Sequence, residues 1–146
     1  MDKLNYIVKS IAPEINVIYD VTEPTCFDHD LKAISIGVDF QDDDCGFMRH
    51  IKFNHDYPEA EEYSLTLWSI LHELGHYFTS NNGYISTEEL AEYALCGLIP
   101  REIAENNESI QNMYFDIESE WNATEWAINW IKDNTDLARQ FNDLLK

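Results

Sequence analysis

Cations are scarce in this chain. Its 146 residues hold 9 Lys+Arg against 28 Asp+Glu, a formal net charge of −19, and the basic residues stand singly from Lys3 to Lys146. Binding that tracks nucleic-acid phosphates draws its affinity from cations that displace counterions, so direct nucleic-acid binding is disfavoured. An acidic surface of this kind favours basic partners and divalent metals instead. Cysteine is also scarce. Cys26, Cys45 and Cys96 are an odd number without C-x-x-C spacing, which fits packed, reduced thiols in a cytosol better than a disulfide framework. No stretch approaches the roughly 18 consecutive apolar residues of a membrane span. The opening residues Met1 to Tyr6 lack the apolar run of a signal peptide. Linkers, internal repeats and low-complexity tracts are absent too. The expectation is a soluble, cytoplasmic protein with no membrane partner.

What is present fits one globular domain over residues 1–146. Hydrophobic residues make up 45% and charged residues 25%, an ordinary folded mixture. A chain of this length buries roughly 70% of the surface its unfolded form exposes. Leu4, Ile7, Val8 and Ile11 recur at helical spacing before Pro13. Ile15 to Tyr19 is a short β-rich run. Ile34, Ile36, Val38 and Phe40 then alternate with polar or small residues, and Phe47, Arg49, Ile51 and Phe53 form a second alternating set. The polar loop Gln41 to Gly46 between them predicts a β-hairpin. Pro58 opens a predicted helix running to about Ser80, where Asn81-Asn82-Gly83 stops it. Ser86-Thr87-Glu88-Glu89 reads as a capping box for a helix ending before Pro100. A long helix over about Ser109 to Lys132 and a short one over Thr135 to Leu145 complete an α+β domain, a small antiparallel sheet or hairpin followed by a helical majority.

Chemistry enters at His72-Glu73-Leu74-Gly75-His76, an H-E-x-x-H sequence inside the predicted Pro58–Ser80 helix. The i,i+4 spacing stacks both imidazoles on one helix face, where two nitrogens can share a Zn²⁺. Zinc lowers the pKa of its water towards about 7, and Glu73 is placed to take the proton as that water attacks a carbonyl. From this composition, a bare match arises by accident in roughly 2% of such chains. A catalytic zinc usually takes three protein ligands, so a third must come from elsewhere. One group, Glu88, Glu89 and Glu92, lies on the capped helix opposite Leu90, Ala91, Ala94, Leu95 and Leu98, and reads as a solvated face. The other is Asp116, Glu118, Glu120 and Glu125 on the long helix. Its apolar stripe includes Ile110, Met113, Ile117, Trp121, Thr124, Ile128 and Ile131. Glu120 falls on the inner edge of that stripe, where a carboxylate needs a partner or a metal.

Leu71 to Phe78 is similar to the zinc helix of the ImmA/IrrE metallopeptidases, and Ile51-Lys52-Phe53-Asn54 looks like the strand leading to it there. Glu120-Trp121-Asn122-Ala123-Thr124-Glu125-Trp126-Ala127 resembles that family's E-x-x-A-x-x-[FW]-A segment. The resemblance implies a zincin-like metallopeptidase fold in which His72, His76 and Glu120 bind one Zn²⁺ and Glu73 is the catalytic base. It spans about Ala33 to Ile131, and its specific motifs are the two short ones. The stretch from His76 to Glu120 is longer than usual in the family, and the L-L-x-P ending is missing after Ala127. Leu98-Ile99-Pro100 instead follows Glu88-Glu89-Leu90-Ala91, which keeps the nearer carboxylates open as alternative ligands.

His29, His50 and His55 read first as surface or packing residues. Tyr77, Tyr84, Tyr93 and Tyr114 are candidates to polarise a scissile carbonyl, with no sequence signal choosing among them. Trp121, Trp126 and Trp130 read as helix-packing residues. The leading expectation is a regulatory zinc endopeptidase, and the resemblance implies a DNA-binding repressor as substrate. Its edge for a substrate strand is expected on the Ile34–Phe53 hairpin. The alternative is a non-catalytic acidic binding module, either a nucleic-acid mimic or a zinc-bearing scaffold, acting on a DNA-binding partner.

Overall fold

The computed structural model describes residues 2–22, 24–37, 46–80, 83–105 and 107–146. Helix α1 (Lys3–Ile11) begins where Asp2 accepts the Leu4 amide at 3.0 Å, and it buries Ile7 and Val8 completely. Strand β1 (Asn16–Tyr19) follows, then β2 (Cys26–Asp28) and β3 (Ala33–Ile36). They form a mixed sheet in the order β1-β3-β2, with β1 parallel and β2 antiparallel to the central β3. All four residues of β3 are buried, as a central strand covered on both faces requires.

The expected hairpin does not form. Phe47–Arg49 is a helical turn, α2, that continues as a π-helical turn over His50–Asn54. Both edges of β3 are already taken by β1 and β2, so a further partner strand has no backbone groups left to pair with. Helical winding buries Phe47, His50 and Ile51 together and leaves Phe53 outside. The residues expected to extend the first strand, Val38 to Phe40, and the loop from Gln41 to Cys45 lie outside the described residues.

The expected Pro58–Ser80 helix is two elements. Pro58–Glu62 is a 3₁₀ turn, and α3 (Leu65–Thr79) starts afresh at Ser64, whose hydroxyl accepts the Leu67 amide at 3.2 Å. The indole of Trp68 donates to Ala60 O at 2.8 Å and locks the turn onto α3. Helix α4 (Thr87–Gly97) is capped by Ser86 through the Glu89 amide at 3.2 Å, and α5 (Arg101–Ala104) follows Pro100. The expected long helix is broken into α6 (Glu108–Phe115) and α7 (Glu118–Asp133), with α8 (Thr135–Leu144) last. The break lets Phe115 and Ile117 both enter the core. It also creates a new helix N-terminus two residues before Glu120. The molecule is thus α+β, a small mixed sheet with a helical majority. Among the described residues no helix is long and apolar enough to cross a membrane.

Candidate metal centre

The site lies where α3 and α7 come together, and Gly75 sets their separation. A Cβ on Gly75 would lie 2.3 Å from the Ala123 carbonyl oxygen and 2.8 Å from Ala123 Cα. Both neighbours are backbone, so only glycine allows this approach. Leu71 and Leu74 turn into the core, while His72 and His76 face α7 from one side of the helix.

Glu120, only 3% exposed, reaches across to both imidazoles. Its Oε1 lies 3.0 Å from His72 Nε2 and its Oε2 lies 3.0 Å from His76 Nε2. The three donor groups lie within 4.8 Å of one another, the one cluster among the described residues that could hold a metal ion. Burial opposes charge on both Glu120 and His76, but their mutual attraction outweighs it. Glu120 is held well below the ordinary carboxylate range, and His76 is raised to about 9. On the far side of His72, Nδ1 lies 3.0 Å from the Thr124 hydroxyl, one turn along α7 from Glu120. That contact orients the ring with Nε2 towards the cluster. Two imidazole nitrogens and one carboxylate with an oriented outer ring nitrogen fit the donor set of a divalent zinc site. Glu73 is buried next to them, its carboxylate 4.0 Å from His76 Nε2.

Helix α4 closes the site with its polar side. The Tyr93 hydroxyl donates to Glu120 Oε2 at 2.6 Å. Burial, and after it the Glu120 charge, pushes the Tyr93 phenol far above its ordinary range. The Tyr114 ring stands 5.9 Å from that of Tyr93; part of Tyr114 reaches solvent, yet its hydroxyl faces Glu120 and is held protonated by burial and by the Glu120 and Glu73 charges. Of the four tyrosines considered from sequence, these two belong to the site. Tyr77 instead donates to Glu14 at 2.7 Å, and Tyr84 is an exposed residue at the rim.

The nearer carboxylates take a different part from the one expected. Glu89 is 8% exposed rather than solvated, and its two oxygens accept the Ser119 amide at 3.1 Å and the Ser119 hydroxyl at 2.7 Å. It thereby caps the start of α7 from outside and fixes the turn that carries Glu120. Glu88 and Glu92 are exposed, and neither joins the cluster. The apolar side of α4 is turned outward, reversing the expectation from its helical wheel. The inward positions are taken by groups that bond to the Glu120 turn.

His50 and His55 form a separate buried pair behind the site. His50 Nε2 lies 2.9 Å from Asp116 Oδ1, and His55 Nδ1 lies 2.9 Å from Glu125 Oε1. His55 stacks on Trp121 with centroids 3.7 Å apart. Burial lowers both histidines, with the carboxylates offsetting part of the effect. No spacing in the sequence couples His50 to Asp116 or His55 to Glu125, so these contacts were out of reach of a sequence reading. His29 packs against Phe27 at the end of β2, where burial, and then the nearby His76, lowers its pKa. Trp126 stacks on Phe78 and Trp130 on Phe141, the packing roles expected of them. Cys26 is exposed, against the expectation of a packed thiol, while Cys96 is half-buried, and Cys45 lies outside the described residues. A cleft of about 210 Å³ opens beside the cluster, lined by His76, Ser80, Tyr84, Ser86, Glu89 and Ser119 among others. Comparison with protein-family models, curated proteins and solved structures finds no match for the chain.

Proposed function

We propose that the chain is a cytoplasmic zinc-dependent endopeptidase of the ImmA/IrrE kind, acting on an intracellular protein such as a basic DNA-binding repressor. The observation that carries this reading is the Glu120 carboxylate spanning His72 Nε2 and His76 Nε2 at 3.0 Å each. His72, His76 and Glu120 would hold a zinc ion, which when bound would supply a Lewis acid and acidify water to near neutrality. Glu73, beside His76 on the next face of α3, takes the proton from the attacking water and passes it to the leaving amine. The Tyr93 and Tyr114 hydroxyls, kept protonated by burial and by Glu120, face the Glu120 carboxylate and hold it towards the histidines. The Glu89 cap and the Thr124 hydroxyl hold Glu120 and His72 in place. An extended substrate would add to β2, an outer strand whose Phe27 packs 5.4 Å from Tyr77 beside His76. That replaces the hairpin edge expected from sequence.

Elemental analysis of purified protein, alongside proteolysis of fluorescein-labelled casein, tests the reading. Wild type is expected to carry about one zinc per chain, and Glu120→Ala to lose it. Glu73→Gln should keep the metal and lose cleavage. A folded wild type that takes up no zinc after supplementation would overturn the proposal and favour the acidic binding module. Glu73→Gln with undiminished cleavage would remove Glu73 from its role.

A further inference from the structure

Helix α4 faces the wrong way for an ordinary surface helix. Its inward side carries Glu89 and Tyr93, both committed to the start of α7. Its outward side is an apolar stripe of Leu90, Ala91, Ala94, Leu95 and Leu98, with the three leucines 56%, 56% and 80% exposed. From Leu90 to Leu98 the stripe runs about 12 Å. Just ahead of α4 in the chain, Tyr84 and Ile85 are exposed as well, and Tyr84 is a wall of the cleft beside His76. Glu88 and Glu92, one turn apart and both exposed, run along one edge of the stripe.

We propose that this stripe is a docking face for a basic amphipathic helix of a partner protein, bound so that the partner's adjoining chain enters the metal cleft. The backbone of α4 is paired internally, so an added strand would find nothing to bond with, whereas a helix offers a matching apolar row. The edge acids and the −19 charge select a partner with lysine or arginine flanking that row. The same charge disfavours a second copy of this chain, because two such faces would bring acids against acids. That the docked partner is also the substrate rests on the peptidase reading; the docking itself does not.

The test uses the full-length Glu73→Gln protein and a fluorescein-labelled helical peptide built of leucine on one face and lysine on the other. A peptide with glutamate in place of lysine is the control. Fluorescence anisotropy should show binding of the Leu/Lys peptide only. Leu90→Ser/Leu95→Ser/Leu98→Ser should weaken binding at least tenfold, and Glu88→Gln/Glu92→Gln several-fold at low salt. All five positions are exposed, so both variants should keep the parent's circular dichroism. No binding of the Leu/Lys peptide, binding untouched by the serine variant, or equal binding of both peptides would overturn the proposal. So would a dimer in sedimentation velocity that the serine variant disperses, since that would make the stripe a self-interface. Peptide binding retained in a protein that fails the zinc and cleavage tests would uphold the docking face and reject only its substrate role.

Discussion

At the scale of single residues, the cluster of His72, His76 and Glu120 is held together by groups that do not themselves belong to the proposed ligand set. The Thr124 hydroxyl lies 3.0 Å from His72 Nδ1, and it sits on the helix that carries Glu120. Thr124→Val keeps the side-chain shape and leaves that ring nitrogen without its partner in a buried place. Zinc affinity is expected to fall roughly 10- to 100-fold, as for other outer-shell partners of metal histidines. Competition with a chromophoric chelator reads this directly, and an unchanged affinity would mean that Phe47, 5.1 Å from His72, orients the ring alone. His72, Glu73 and His76 were legible as a group because i,i+4 spacing on a helix dictates a shared face. Glu120 was legible as a carboxylate aimed at a core. Thr124 counted only as part of an apolar stripe, because a hydroxyl's partner is invisible until two helices are brought together.

Among the elements, the packing of α3 on α7 decides whether the cluster exists. An alanine in place of a mid-helix glycine ordinarily stabilises by about 1 kcal/mol. At Gly75 the added methyl would meet the Ala123 backbone at 2.3 Å, so the helices must part instead. Gly75→Ala is therefore expected to destabilise by about 1–3 kcal/mol, as overpacked cores do, and to weaken zinc binding together with stability. Urea unfolding with and without zinc measures both. A stabilised Gly75→Ala protein would show that α7 shifts without loss. The elements misread from sequence share a cause. The alternation of Phe47 to Phe53 suits a strand locally, but β3 has no open edge for it. No glycine or proline marks the break between α6 and α7 at Asp116-Ile117, which burial of Phe115 and Ile117 favours. In α4 the wheel correctly separates two faces, yet which one points inward depends on the partners Glu120 and Ser119.

For the whole molecule, the balance of charge and the buried histidines set the response to pH. His50 and His55 are neutral in the folded state at pH 7 because burial lowers their pKa below the ordinary 6.5. As pH falls through 6.5 the unfolded chain takes up protons first, so stability present above that value is lost as pH approaches the lower folded pKa. Metal-free protein should thus lose urea resistance as pH falls below about 6.5, where the raised His76 already contributes fully, and His50→Leu should lose less. Equal losses in the two proteins would place the acid sensitivity elsewhere, in the cluster itself.

The amino-acid sequence by itself determined the acidic surface, the α+β balance, the helix bearing His72, Glu73 and His76, and a short choice of third ligands. These follow from composition and from local periodicity, which need no knowledge of distant neighbours. Only the tertiary structure decided that Glu120 rather than Glu88, Glu89 or Glu92 faces the histidines. It likewise decided that Glu89 caps α7, that Tyr93 and Tyr114 are the tyrosines of the site, and that α4 presents its leucines to solvent. Each of those outcomes depends on which helix lies against which, and at Gly75 that choice comes down to the room left by one missing Cβ.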